Sequence, residues 1–245
     1  MDIMENKYTW LLIAVNVIIF ELMFSLPAES LDWWVGVLSL SFDTKFEIWR
    51  WVTSMFVHAN ASHIFFNMLG LYFFGKLLEE EVPKQWFFAI YFIGGFIGSF
   101  VFMFTNPSPV IGASGAMFAV MGAAMLLNPI KKMHIYIFPL TSGIVAILFV
   151  IVETFFIYIQ PDFGNVAHMA HIGGLVTGAM FAFFYKPKKA TKGIVLLIIS
   201  LILLVILAPI FGLITGLGGI VLQVIDLVIG FVLYGIAHII SFLWV

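Results

Sequence analysis

Stretches of about twenty apolar residues, repeated along the whole chain, are the feature that most limits what this sequence can fold into. A bilayer core about 30 Å thick is crossed by roughly 20 helical residues. By this measure we predict eight spans, with ends good to several residues, at 8–26, 57–78, 85–105, 110–128, 134–159, 166–185, 193–211 and 219–244. The sequence therefore predicts an all-α membrane protein, a polytopic bundle of transmembrane helices.

The composition excludes several other classes of protein. Hydrophobic residues make up 63% of the 245 residues and charged residues 10%, against about 45–50% and about 25% in soluble domains. Such a chain cannot cover a water-exposed surface. A formal net charge of −2 offers no basic surface to nucleic acid, and the absence of cysteine excludes a thiol nucleophile and a cysteine-bound metal.

The lysines predict how the spans are oriented, because loops between successive spans alternate between the two sides. If the N-terminus is cytoplasmic, that side receives nine lysines, namely Lys7, Lys76, Lys84, Lys131, Lys132, Lys186, Lys188, Lys189 and Lys192. The outer side receives only Lys45 and Arg50, which agrees with the positive-inside rule. We therefore expect a multi-pass protein of the cell membrane with a cytoplasmic N-terminus.

The first outer loop, residues 27–56, is too long for a turn and too aromatic for a solvated linker. It contains four tryptophans, Trp33, Trp34, Trp49 and Trp51, and tryptophan favours the membrane interface. We expect this loop to form short helices that lie partly in the interface.

Polar side chains inside the spans are costly and therefore informative. His63 and Asn67 in the second span are four residues apart, so they share one helical face. Two interpretations stay open for this pair taken alone. The two side chains either hydrogen-bond between packed helices, as histidine and asparagine often do, or belong to a functional site.

A serine opens the fourth span in the sequence Gly112-Ala113-Ser114-Gly115. A serine at a helix start is commonly a cap, and small residues commonly allow close helix packing. In the functional interpretation, the glycines free the backbone to present the Ser114 hydroxyl. The Ser114 N–H, at a helix N-terminus, then points to where an oxyanion would form.

His171 lies at the start of the sixth span on a stripe of small residues. Gly174 and Gly178 follow it by three and seven residues on the same face. The fourth span offers a matching series, Gly115, Ala119 and Gly122. Close approach of the two helices would bring His171 beside Ser114, although a packing role for the histidine also stays open.

The predicted topology puts these polar residues at one depth. The second span runs inward from the outer side, and the fourth and sixth spans begin there. At 1.5 Å per residue, His63, Asn67, Ser114 and His171 all fall within about one to three turns of the outer end. Packing residues need not share a depth, whereas a serine, a histidine base and two donors at one level fit acyl transfer.

In this order and at these positions, the three motifs resemble those of the rhomboid family of intramembrane serine proteases. The resemblance implies that Ser114 is the nucleophile and His171 the general base. It also implies that the Ser114 N–H, His63 and Asn67 stabilise the oxyanion. The expected substrates are transmembrane or membrane-adjacent segments of other membrane proteins in the lipid bilayer, cleaved near the outer membrane boundary without a cofactor.

The resemblance covers about residues 8–187 and extends to supporting residues. Trp49 and Arg50 match a motif of the first outer loop, and His58 matches an upstream structural histidine. Some members carry a tyrosine at the position of Phe118, which keeps a ring face for stacking on the catalytic histidine. His168 is expected to support the polar groups of the outer loops.

The same resemblance implies a domain organisation. Residues 1–189 correspond to a six-helix rhomboid-like catalytic core. Residues 190–245 form a C-terminal hydrophobic extension of one or two spans, onto which no family role can be carried. The fold expected is therefore a six-helix core with about two additional spans.

Three alternatives compete with this hypothesis. A metal site would have to use His168 and His171, with Glu153 as the only evident carboxylate, and no HExxH motif is present. A catalytically inactive rhomboid-like protein that binds clients would typically lack the serine or the histidine. A transporter would more naturally show paired broken spans in two related halves. Asp226, in the last span, is expected to make a helix contact.

Overall fold

The computed structural model describes residues 6–135, 138–149, 168–203 and 206, and in them the chain is mostly helical. The helices are, in chain order, α1 (Lys7–Phe24), α2 (Ala28–Leu38), α3 (Arg50–Thr53), α4 (Ala61–Gly70), α5 (Lys76–Glu79), α6 (Lys84–Met103), α7 (Ser114–Leu127), α8 (142–149), α9 (His168–Tyr185) and α10 (187–203). Helices α2 and α3 lie in the first outer loop, so the prediction that this loop forms short helices is confirmed.

Two helices begin later than the apolar pattern predicts. Helix α4 begins at Ala61 because the Asn60 side chain accepts a hydrogen bond from the His63 N–H at 2.8 Å and caps the helix. Helix α7 begins at Ser114 because Gly112 has a φ of 104°, a left-handed conformation that no helix can contain. A π-helical turn over Leu71–Gly75 joins α4 to α5 in one continuous helix.

The start of the predicted span 134–159 is wrong. Lys132–Ile135 and Phe138–Thr141 form an antiparallel pair of strands, β1 and β2, and helix α8 follows only from residue 142. Pro139 accounts for the difference, because proline lacks the backbone N–H that a helix interior needs. The rest of this span, including Glu153, and the last span with Asp226 lie outside the described residues.

Helix α7 forms the centre of the fold. All of its 14 residues except Met125 are buried, and at 1.5 Å per residue it is about 21 Å long. Among the described residues, α1 and α6 are the helices long and apolar enough to cross a membrane. Helix α7 is thus a short apolar helix surrounded by other elements.

Helices α7 and α9 touch backbone to backbone. A Cβ added at Gly174 would lie 2.0 Å from the Gly115 carbonyl oxygen, and one at Gly178 would lie 1.9 Å from the Ala119 carbonyl oxygen. Both distances are far below van der Waals contact, so any side chain at either glycine would separate the helices. The close approach predicted from the spacing of small residues is therefore present.

A carboxylate joins the end of the α4–α5 helix to the start of α1. The Glu79 carboxylate accepts hydrogen bonds from the backbone N–H groups of Tyr8 and Thr9 at 2.9 and 2.8 Å. It also accepts one from the Thr9 hydroxyl at 2.8 Å. These amides have no acceptor within their own helix, so Glu79 caps α1 from a neighbouring element.

The next two acids bind lysines at the same end of the α4–α5 helix. Glu80 forms an ion pair with Lys131. Glu81 pairs with Lys186 at 3.0 Å and with Lys189 at 2.7 Å. Burial raises the pKa of the Glu81 carboxyl, but hydrogen bonds from Lys189, Lys186 and Asn128 outweigh this effect and hold the pKa below its ordinary value. Sequence reasoning counted these lysines but did not foresee their partners.

The chain divides into two compact units, residues 1–198 and residues 199–245. The boundary predicted at residue 190 falls inside α10. In the first unit, a Cβ added at Gly193 would lie 2.0 Å from the Leu126 carbonyl oxygen. The beginning of α10 therefore packs closely on the last turn of α7.

The substitution Gly178→Ala tests the contact between α7 and α9. Because the added methyl group would overlap the Ala119 carbonyl, we expect the free energy of unfolding to fall by about 1–3 kcal/mol. Thermal unfolding in detergent measures the change. The control is Gly36→Ala in α2, where nothing lies within 4 Å of the added Cβ and alanine favours the helix by about 1 kcal/mol. Equal melting temperatures for the two variants would contradict this packing.

Candidate active site

Helix α4 carries a buried side-chain amide, that of Asn67, on the face that His63 shares. His63 and Asn67 lie one turn apart, and Asn67 is only 3% exposed. In the part of the chain that the structure describes, its Nδ2 atom has no acceptor. An unpaired buried donor costs about 1–3 kcal/mol, and its presence in a folded protein requires an explanation.

The loop that precedes Ser114 is held by the first outer loop through backbone hydrogen bonds. Leu40 and Val110 exchange two of them, with N···O distances of 3.2 and 2.7 Å. The Gly112 N–H donates to the Ser54 carbonyl oxygen at 2.8 Å. These bonds fix the path of the backbone up to the residue before Ala113.

His58 holds the next amide of the same loop. The Ala113 N–H donates to His58 Nε2 at 3.3 Å, and His58 Nδ1 lies 3.3 Å from the Phe56 carbonyl oxygen. Ser114 then begins α7, and the first N–H groups of a helix have no intrahelical acceptor. The scaffold thus binds the two amides before Ser114, while the Ser114 amide stands at an open helix N-terminus.

Gly112 brings this loop against α4. A Cβ added at Gly112 would lie 2.6 Å from His63 Nε2 and 3.6 Å from Asn67 Nδ2. Its positive φ also disfavours any other residue. Only glycine fits here, and the structure therefore brings the His63–Asn67 pair together with the residues that lead to Ser114.

His171 of α9 lies at the same level of the bundle as Ser114. Its ring stacks on that of Phe118, with centroids 4.4 Å apart and planes 7° from parallel. Phe118 follows Ser114 by one turn of α7. Gly174, one turn after His171, lies against Gly115. These two contacts place Ser114 and His171 on facing turns of the packed helices, at the ends where α7 and α9 begin.

Two further histidines, His58 and His168, lie next to this group. The rings of His58 and His63 are 5.1 Å apart, and those of His168 and His171 are 6.2 Å apart, both in edge-to-face geometry. The described residues contain no group of three or more metal-ligating side chains that could hold a metal ion. Glu153, the carboxylate of the metal alternative, lies outside them.

Arg50 orders the first outer loop from inside. It is only 8% exposed, and its Nη1 donates to the carbonyl oxygens of Gly36 and Ser39 at 2.6 and 2.8 Å. Its Nε pairs with Glu47 at 2.8 Å. Trp49 is 53% exposed and covers the guanidinium at 5.9 Å. Arg50 therefore supports the segment that pairs with the loop before the serine.

Sequence reasoning missed three residues of this arrangement, Ser54, Leu40 and Val110. All three act through backbone groups, which every residue type carries, so no sequence motif could have revealed them. In the sequence, Leu40 and Val110 resemble ordinary apolar core residues, and their side chains are indeed buried.

Comparison with known proteins agrees with these motifs. The family model described as the Rhomboid domain matches residues 45–188. RHOMBOID-like protein 1 of Arabidopsis thaliana is 33% identical over 158 residues, 63% of this chain and 39% of that protein. Rhomboid protease GluP of Bacillus subtilis is 30% identical over 213 residues, 83% of this chain and 39% of GluP.

A shorter relative is covered more completely. Rhomboid protease GlpG of Haemophilus influenzae is 28% identical over 138 residues, 56% of this chain and 69% of GlpG. By contrast, this chain spans about two fifths of the length of the two larger relatives. The matched domain covers more than half of the 245 residues and contains all the candidate site residues. The chain therefore belongs to the rhomboid family, whose members are integral membrane proteins.

Proposed function

We propose that the chain is an intramembrane serine endopeptidase that cleaves other membrane proteins with a Ser–His dyad. The observation that carries the proposal is the Asn67 Nδ2 atom, which is buried beside the loop that leads to Ser114 and has no acceptor among the described residues. At this position, Asn67 Nδ2 can donate a hydrogen bond to an oxyanion, whose negative charge exists only during the reaction. Membership of a family with curated proteases supports the same activity.

In the proposed reaction, His171 acts as general base and then as general acid. It removes the hydroxyl proton of Ser114 while the serine oxygen bonds to the scissile carbonyl carbon. Collapse of the tetrahedral intermediate breaks the C–N bond, and the proton passes from His171 to the leaving amine. A water molecule, deprotonated by His171, then attacks the acyl carbon. Collapse of this second tetrahedral intermediate breaks the bond between the acyl carbon and the Ser114 oxygen, which takes the proton back from His171.

The oxyanion of each tetrahedral intermediate is stabilised by three donors. These are the Ser114 N–H at the start of α7, Asn67 Nδ2 and the His63 side chain. The Gly112 position, within 2.6 Å of His63 Nε2 and 3.6 Å of Asn67 Nδ2 when a Cβ is built there, supports their convergence. One such donor is worth about 10²–10³ in rate.

The remaining motif residues hold the reacting groups in place. Phe118 fixes the plane of the His171 ring, a task that a buried carboxylate performs in a Ser–His–Asp triad. Gly115, Gly174 and Gly178 bring α7 and α9 together. His58 and Arg50, with Trp49 over its guanidinium, support the loop before Ser114, and His168 supports the outer loops. The mechanism needs no metal and no cofactor.

We further propose a six-span core over residues 1–189, an extension of one or two spans over 190–245, and a site open to the outer side of the cell membrane. The α4–α5 helix supports this topology. Its 19 residues from Ala61 to Glu79 reach about 28 Å, close to the thickness of a bilayer core. His63 lies at one end, and the lysine-binding acids lie at the other.

The substrates in this proposal are proteins with a transmembrane segment, cut near its outer boundary. A site enclosed by packed helices admits an extended chain more readily than a helix. By resemblance to the family, the favoured cleavage sites are small residues within a segment whose helix unwinds easily. The lipid bilayer is the medium in which enzyme and substrate meet.

Labelling with a fluorophosphonate probe tests the nucleophile. The purified protein in detergent is expected to form a covalent adduct, and Ser114→Ala is expected to abolish both the adduct and cleavage of a membrane-spanning reporter. Ser25→Ala, at an exposed serine after α1, is the control that keeps both. Labelling that survives Ser114→Ala would overturn the assignment, and a client-binding protein or transporter would give no labelling.

The substitution Asn67→Leu tests the oxyanion donor. We expect kcat to fall by about 10²–10³, whereas stability should be kept or raised because a buried unpaired donor is removed. Asn16→Leu is the matched control, since Asn16 is also a buried asparagine but lies on α1 and bonds the Leu12 carbonyl oxygen. Reporter cleavage and thermal unfolding are measured for both. Activity near that of the wild type in Asn67→Leu would contradict the proposed role.

A further inference from the structure

A phenylalanine of α8 touches the ring beneath the proposed base. The Phe149 ring lies edge-to-face against Phe118, with centroids 6.2 Å apart and planes 69° from parallel. Phe118 in turn stacks on His171 at 4.4 Å. The three rings form a continuous chain of contacts from α8 to α9 through the central helix.

The opposite side of Phe149 contacts the helix that carries the oxyanion donors. Its ring lies 6.2 Å from that of Phe74, at 88°. Phe74 is fully buried and lies in the π-helical turn over Leu71–Gly75. It follows Asn67 by seven residues in the same continuous helix. Phe149 therefore fills the space between the helix of the donors and the ring that supports the base.

The start of α8 is anchored, so the position of Phe149 is defined. The Ser142 hydroxyl donates to the Asn128 carbonyl oxygen, and the Gly143 N–H donates to the Pro129 carbonyl oxygen at 2.9 Å. Both acceptors directly follow α7. From this anchored end, seven helical residues carry the chain about 10 Å to Phe149.

Stacking of Phe118 on His171 requires that the Phe118 ring keep its plane. The last torsion of a phenylalanine side chain is soft, and a ring in a close-packed interior is held by the side chains around it. His171 covers one face of Phe118, while Phe149 abuts the ring from another element. Without Phe149, a cavity would allow the Phe118 ring to tilt and the imidazole to follow it.

We propose that Phe149 is a positioning residue for the reaction, acting on His171 through Phe118. The inference rests on the proposed function, in which His171 is the base. It makes α8 part of the catalytic machinery, because a displacement of α8 at Phe149 would alter the alignment of the base. In this proposal, the edge of the Phe149 ring, and not only its volume, holds the Phe118 ring in place.

The test uses the full chain in detergent and the rate constant of fluorophosphonate labelling, kinact, separately from the binding constant of the probe, KI. Since small misplacements of catalytic groups cost up to about 10²-fold, Phe149→Ala is expected to lower kinact about tenfold or more and to leave KI within about twofold. Phe149→Tyr keeps the ring and should restore kinact. Phe149→Leu keeps most of the volume but not the ring and should fall between them.

Phe92→Ala is the matched control. Phe92 is a partly buried phenylalanine of α6 whose ring contacts Phe88, Tyr91 and Phe96. Its removal should lower the melting temperature without lowering kinact, when labelling is measured well below the melting temperature. If Phe149→Ala does not fold, the comparison of Phe149→Leu with Phe149→Tyr decides the question.

The outcomes separate this inference from the function on which it rests. A wild-type protein that is not labelled, or is labelled without Ser114, refutes the proposed function and this inference with it. A wild-type protein labelled at Ser114, with kinact of the Phe149 variants equal to that of Phe92→Ala, refutes only the role of Phe149. A change confined to KI would also refute it.

Discussion

Close contact between the backbones of α7 and α9 is the interaction on which the rest of this structure depends. Lipid tails are as apolar as leucine, so helices in a membrane gain little from hiding apolar side chains and associate mainly by dense packing. Gly174 and Gly178 allow this packing where they meet Gly115 and Ala119. The same contact sets the levels of Ser114 and His171, and it brings Phe118 under the imidazole. Packing and site geometry therefore have one cause.

Local rules of stability are broken near the loop where the chemistry is proposed to occur, whereas three acids at the far end of the bundle bind helix amides and lysines. Gly112 adopts a left-handed backbone, and Asn67 buries a donor that none of the described residues satisfies. At the far end, Glu79 caps α1, while Glu81 binds two lysines. Sequences that fold well keep such violations for functional sites. The left-handed backbone of Gly112 and the Asn67 amide lie next to each other, which agrees with a site near Gly112.

The side-chain parts of the site could be predicted from the sequence because helical periodicity determines which residues share a face. The pairing of His63 with Asn67 and the glycine stripe after His171 are of this kind. What could not be predicted depends on backbone geometry. The pairing of Leu40 with Val110 uses amides that any residue carries. The β1–β2 hairpin is a different case, because Pro139 is a helix-breaking signal that a prediction from apolar length alone overlooks. The sequence shows that Glu79, Glu80 and Glu81 are acidic. Only the fold shows that they bind the start of α1 and the lysines.

The most direct measurement of the central claim is a crystal structure of the fluorophosphonate adduct, because the phosphonyl oxygen stands in for the oxyanion. Our account predicts a bond from phosphorus to the Ser114 oxygen. It also predicts that the phosphonyl oxygen lies about 2.7–3.1 Å from both Asn67 Nδ2 and the Ser114 nitrogen, with the His171 ring still stacked on Phe118. A phosphonyl oxygen that points away from Asn67 and the start of α7, or phosphorus on another residue, would contradict the account.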